Sequence, residues 1–294
     1  MFYRKKILLA LLQLFDDELE KIRLQKLLFL FTQLQVKREY DFIPYKFGCY
    51  SYTADADLTA LTQKGLLEER HKRFILNDKT DYLKTLKTED FNYLQALKTD
   101  FKKFSNKDLM KYIYTHYPYW AINSTVAKDI LTESEMKTVF QYKPKINKTI
   151  LYTIGYEGIS LEEYFNSLIK NDIRILVDVR NNPLSMKYGF SKNQLKRYCE
   201  NLKIQYVHFP EVGIQSEQRQ ELKTQSDYEK LFANYSAINL ARTQATQTVI
   251  FDLLKKHKRI ALTCFEADIN RCHRKHLTEA IANIAGFDYE VKHI

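Results

Sequence analysis

The sequence has 294 residues, 45% apolar and 28% charged, with 46 Lys and Arg against 36 Asp and Glu for a formal charge of +10. That length allows two domains with cores of their own, and the composition is that of a globular chain, not a disordered or collagen-like one. Four cysteines are too few for a disulfide scaffold and point to a reducing cytoplasm, while the diffuse basic excess suits nucleic acid or a phosphorylated ligand without singling out either.

Residues 3–15 and 20–35 read as helices. Arg4-Lys5-Lys6 before Ile7 to Leu12 imitates a short signal peptide, but no small-residue cleavage site comes after it and the run is too short to span a bilayer. A buried helix is expected there, with no membrane partner. The second helix is apolar nearly all round, with a narrow polar stripe that includes Gln25 and Lys26. Residues 42–51 are aromatic and irregular. Residues 55–64 follow as a helix with Gly65 at the position of a left-handed cap, and residues 66–77 suggest a hairpin.

A helix closed by Lys-Gly-Leu-Leu-Glu and followed by a basic hairpin is the layout of a winged helix. The segment resembles antitoxin-like and regulatory bacterial domains that carry a Leu-Gln-Lys-Leu-Leu helix and a Tyr/Phe-Gly turn. On this reading Arg70, Lys72 and Arg73 contact nucleic acid, DNA rather than RNA. The alternative is a protein-binding module in which those side chains are merely solvated. Residues 81–140 read as helical, with candidates at 106–116 and 124–139 whose aromatics belong to the core. The basic, proline-broken stretch 143–148 separates a mostly helical domain over residues 1–145 from a second over 149–294.

From residue 149 strands alternate with helices. Strands are expected at 150–154, 173–179, 204–208, 259–264 and 289–293. Helices are expected after Ser160, after Ser191, twice within 226–257, the first boxed by Ser226 and Glu229, and over 271–285. Such alternation implies a Rossmann-like α/β domain with a parallel sheet covered on both faces. Ligands of these sheets bind beyond the carboxyl ends of the strands, and the unusual polar residues of this half gather there. They are Gly155 and Tyr156 after the first strand, Asp178 and Arg180 after the second, His208 and Glu211 after the third, and Cys264 and Glu266 after the fourth.

The ordered segments Thr153-Ile154-Gly155-Tyr156, Leu176 to Pro183, Tyr206 to Gly213, Cys264-Phe265-Glu266 and Cys272-His273-Arg274 resemble the bacterial family catalogued as domain of unknown function four-eight-eight. The resemblance spans roughly residues 149–294 and implies a fold and a site, but no reaction. Asn270 and Arg271 depart from it, standing where relatives carry an aromatic-plus-Arg pair.

Three readings compete for residues 262–274. Cys264, Cys272 and His273 as zinc ligands are disfavoured, because structural sites prefer Cys-x-x-Cys pairs and neighbours on a helix point apart. Thiol chemistry would use Cys272 at a helix N-terminus beside His273 and two arginines. The reading adopted has Arg180, Arg274, Gly155 and Tyr156 binding an anion such as phosphate. Asp178, Glu211, Glu266, His208, His273 and the two thiols then supply acid–base or nucleophilic groups. No cofactor is required. The expectation is an enzyme acting on nucleotides or nucleic acid at a phosphoester or glycosidic bond. The rival is a non-catalytic sensor of a phosphorylated ligand. The bland alternative is an internal ion-pair network.

Overall fold

The computed structural model describes residues 1–219, 222 and 224–294, and the chain divides into two units, Met1–Lys143 and Pro144–Ile294. The first unit opens with helix α1 (Tyr3–Leu14), whose residues Ile7 to Leu12 are fully buried, as an apolar run in a folded core must be. A three-residue strand β1 (Glu18–Glu20) leads into α2 (Lys21–Leu34). This helix buries even the polar stripe of its sequence. Gln25 Nε2 donates to the Ser51 carbonyl and Lys26 Nζ to the Cys49 carbonyl, so both are paired inside.

The aromatic stretch is not irregular. It holds a small hairpin, β2 (Ile43–Tyr45) and β3 (Gly48–Tyr50). Helix α3 (Tyr52–Gln63) is capped by the Ser51 hydroxyl, which accepts from the Ala54 amide. It ends at Gly65, whose φ of +72° lets the Gly65 and Leu66 amides close onto the Thr62 and Leu61 carbonyls. Strands β4 (Leu67–Arg70) and β5 (Arg73–Leu76) form the expected hairpin, and β1 joins it in the order β1-β5-β4.

Helices α4 (Thr88–Phe101) and α5 (Asn106–His116) come next, the second boxed by Ser105 and Asp108. The helix expected over 124–139 is instead two pieces, α6 (Ala127–Ile130) and α7 (Glu133–Gln141). A Thr132–Glu135 capping box starts the second piece afresh. Many of the aromatics here are core. Phe29 alone meets Phe42, Tyr117 and Trp120 edge to face.

In the second unit β6 (Ile150–Gly155) passes to α8 (Leu161–Lys170), boxed by Ser160 and Glu163, then β7 (Ile175–Asp178), α9 (Lys192–Asn201) and β8 (Gln205–His208). Helix α10 (Gln225–Asn234) is boxed by Thr224 and Asp227, not by Ser226 and Glu229, so it begins one frame earlier than expected. A π-helical turn at Tyr235–Leu240 separates it from α11 (Gln244–His257). The chain ends with β9 (Arg259–Cys264), α12 (Arg274–Ala282) and β10 (Glu290–His293).

These five strands form one parallel sheet in the order β10-β6-β9-β7-β8. β6, β7 and β9 are buried along nearly their whole length, which is why they read as unbroken apolar runs. The topology matters for the site, because β9 is inserted between β6 and β7. The loop leaving Cys264 therefore lies between the loops that leave Gly155 and Asp178. Among the described residues, no helix is long and apolar enough to cross a membrane.

Candidate functional site

Beyond the carboxyl edge of this sheet lies a cleft of about 460 Å³, with Tyr156, Arg180, Asn181, Cys264 and His273 in its wall and the loop after β7 as its rim. Its floor is set by how closely the chain segments approach. A Cβ on Gly155 would collide with the Glu266 carbonyl, so only glycine lets the end of β6 pass under the loop after β9. The Phe265 carbonyl then accepts from the amides of Tyr156 and Glu157, at 3.0 and 2.9 Å. The Tyr156 amide is spent on the backbone and does not offer itself to an anion.

Asp178 and Arg180 form a single buried unit. Arg180 donates from Nε to Oδ1 at 2.9 Å and from Nη2 to Oδ2 at 2.6 Å, and the Tyr206 hydroxyl donates to Oδ2 at 2.5 Å. Arg180 Nη1 is held by the Tyr156 hydroxyl and the Phe190 carbonyl, both at 2.8 Å. Asp178, completely buried beside its counter-ion, braces the β7 loop and does not wall the cleft. The Arg180 guanidinium reaches the wall, but most of its donors are committed. The Asp178 bonds and charge hold its pKa above the ordinary arginine value, although burial opposes them.

His208 is also engaged elsewhere. Its Nε2 donates to the Arg180 carbonyl at 2.8 Å, so Nδ1 is left to accept from Lys192 Nζ at 2.9 Å. Glu211 accepts from the Thr246 hydroxyl and lines a second cavity of about 340 Å³ with Asn239 and Arg242. Asn181 stands in the wall of both. The four strand ends thus feed two neighbouring cavities, where one cleft was expected.

The groups that converge at the main cleft come from the end of β9 and the approach to α12. Cys264 Sγ donates to Glu266 Oε2 at 3.1 Å. His273 Nε2 donates to the Val179 carbonyl at 3.0 Å, which turns the Nδ1 lone pair toward Cys264 Sγ and Cys272 Sγ, each 3.9 Å away. Arg274 Nε donates to Cys272 Sγ at 3.1 Å and Nη2 to the Glu266 carbonyl at 2.5 Å. Its Nη1 is buried with no hydrogen-bond partner among the described residues. Burial, then the Cys264 thiol, pushes the Cys272 thiol well up, and Arg274 pulls the other way.

The helix expected to begin at Arg271 begins at Arg274. A short turn at Ile269–Arg271 precedes it, Cys272 is extended, and His273 is the N-cap. The two neighbours are therefore not on one helix, which removes the geometric objection to their acting together. Cys264, Cys272 and His273 bring their ligand atoms within 4.8 Å of one another.

Sequence reasoning did not single out the rim. Leu184, Met186 and Phe265 are apolar and exposed around the cleft, and Lys187, half-buried there, donates from Nζ to the Tyr156 carbonyl. Burial lowers the Lys187 pKa. The available signal was the apolar content of a loop placed directly after a strand whose end is already polar.

In the first unit a groove of about 590 Å³ is lined by Lys21, Lys46, Lys72, Tyr45, Phe47 and Tyr50, among others. Of the three basic residues expected to touch nucleic acid, Lys72 borders this groove from the β4–β5 turn. Arg73 lies there too, but it is paired with Glu18 and Glu20 at 2.8 and 2.9 Å. Arg70, opposite Arg73 in the ladder, is exposed.

The second unit is a Rossmann-like α/β domain with a cleft at its carboxyl edge whose wall includes the Cys264 thiol and the His273 imidazole. Residues 160–281 match the family described as Domain of unknown function DUF488, a narrower stretch than the resemblance in the sequence suggests. No curated protein and no solved structure matches the chain. The likeness of the first unit to antitoxin-like domains gains no support from these comparisons.

Proposed function

We propose that the protein is an enzyme acting on nucleotides or nucleic acid, cleaving or transferring at a phosphoester or glycosidic bond in the cleft of the second unit, while the first unit grips the nucleic acid. The observation that carries this is that Cys264 and His273 stand in the wall of a cleft beyond the carboxyl ends of the strands, with Glu266 accepting from the Cys264 thiol. Glu266 is a half-buried carboxylate bonded to the Cys264 thiol and serves as the proton acceptor, while His273, fixed as the tautomer with an unprotonated Nδ1, faces the same sulfur. Exposed Leu184, Met186 and Phe265 give a flat ring apolar surface to rest on, and Lys187 with the Asn181 amide offers donors to phosphate or sugar oxygens.

The first unit supports the gripping role in two ways. Its order is helix, strand, helix, small hairpin, helix and hairpin, with strands arranged β1-β5-β4, and the β4–β5 turn of that sheet brings Lys72 to the groove. Its groove mixes lysines with aromatic rings, as single-stranded nucleic acid requires.

The test is turnover by the full chain, followed by mass spectrometry of products from a panel of nucleotides, single-stranded and duplex DNA, and RNA. We expect a product with at least one member, lost in Glu266→Gln and His273→Ala. If ligands bind the cleft but none is altered, and Glu266→Gln binds them as well as the parent does, the protein is a sensor and the enzyme reading falls.

A further inference from the structure

The geometry points to a zinc site made by Cys264, Cys272 and His273, with its fourth position open to the cleft. A tetrahedral zinc with Zn–S near 2.3 Å and Zn–N near 2.05 Å separates a sulfur from a nitrogen by about 3.6 Å and two sulfurs by about 3.8 Å. Here the His273 Nδ1 lies 3.9 Å from each sulfur, and all three ligand atoms fall within 4.8 Å of one another. An ion at their centre requires only a small contraction of side chains that already face one point.

The second observation is the orientation of the imidazole. Metal-bound histidines donate their other ring N–H to a carboxylate or carbonyl, which fixes the tautomer and the ring plane. His273 does this with the Val179 carbonyl at 3.0 Å, at the end of the neighbouring strand β7. The third is burial. Cys264, Cys272 and His273 are 3%, 0% and 1% exposed, an enclosure in which two thiolates and an imidazole hold an ion without competition from bulk water. Arg274 Nε, 3.1 Å from Cys272 Sγ, is placed to donate to a metal thiolate.

Cys264 and His273 line the cleft and Cys272 does not, so the uncovered side of the triad is the cleft side. Three protein ligands and an open position mark a catalytic zinc site and not a structural one. Cys264 would lose its proton on binding the ion, which would release Glu266 from the bond it now accepts from that thiol and leave it as a carboxylate near the site. That role for the ion rests on the enzyme reading above; its binding does not.

The full-length protein is stripped with a chelator under reducing conditions, loaded with zinc chloride, desalted and assayed for zinc by mass spectrometry. We expect a stoichiometry near one, retained in Glu266→Gln and lost in Cys264→Ser, Cys272→Ser and His273→Ala. Because a variant with a cavity or a new polar group can simply misfold, the parent protein is also loaded with cobalt. Strong thiolate-to-cobalt charge transfer with the intense visible bands of four-coordinate cobalt is expected. A parent protein that keeps no zinc, or a cobalt spectrum without thiolate bands, overturns the site. Loss of zinc in Glu266→Gln overturns the open fourth position. All of this is read without substrate, so a failure here leaves the enzyme reading standing, while a zinc-loaded protein without turnover fails that reading alone.

Discussion

At the scale of single residues the site depends on charges that are buried but paired. Asp178 is completely enclosed and accepts two bonds from the Arg180 side chain and one from Tyr206. Pairing of this kind contributes little net stability, because desolvating both ions offsets their attraction, but removing one partner leaves the other charge stranded. Asp178→Asn is therefore expected to cost about 3 to 5 kcal/mol in urea unfolding. A cost below about 1 kcal/mol would mean that the pair is solvated and behaves like a surface ion pair. The same reasoning explains why Asp178, which looks catalytic in the sequence, and Arg180, which looks like an anion binder, are largely committed to each other. A charged pair after a strand is equally the signature of a functional group and of a brace. Only its partners, here Tyr206 and Phe190 on segments distant in the chain, decide between them.

At the scale of elements, legibility in the chain depends on length and burial. β6, β7 and β9 were legible because a parallel strand covered on both faces is an unbroken apolar run. β1, β2 and β3 were not, since three residues cannot display a period. The start of α10 was ambiguous for a specific reason. Thr224 with Asp227 and Ser226 with Glu229 are overlapping capping frames, and only the first forms its reciprocal bonds. The start of α12 is hidden because the Ile269–Arg271 turn delays the helix, and that delay lets Cys272 and His273 converge on Cys264. The segment from Cys264 to Arg274 is held down at Gly155, which gives a prediction for the element as a whole. Gly155→Ala drives a methyl into the Glu266 carbonyl and must lift this segment. The expected result is a loss of about 1 to 3 kcal/mol in stability, the usual cost of overpacking, together with weaker zinc retention. Unchanged zinc retention would show that the segment shifts without disturbing its ligands.

At the scale of the whole molecule the excess of positive charge finds a local expression. The groove of the first unit gathers Lys21, Lys46 and Lys72 around Tyr45, Phe47 and Tyr50, with Lys46 and Phe47 exposed. Lys21 is partly committed, because it pairs with Asp55, and Arg73 is neutralised by Glu18 and Glu20. Lys46 and Lys72 are thus the cations best placed to displace counterions from a phosphate backbone. Each phosphate contact contributes roughly 0.7 to the slope of log affinity against log salt for a single strand, and about 0.9 for duplex DNA. The double variant Lys46→Ala/Lys72→Ala of the full chain should therefore lose about 1.4 to 1.8 from that slope. Phe47→Ala should leave the slope intact and weaken single strands more than duplex, because stacking carries no counterion term. The measurement is a fluorescence-anisotropy titration at several salt concentrations with single-stranded and duplex oligonucleotides. Equal slopes for the parent and the double variant would remove the groove as the gripping surface. A Phe47→Ala loss equal for both substrates would mean that the ring packs and does not stack. The two variants separate charge from stacking on one surface, so together they also decide whether a single strand or a duplex is the natural occupant.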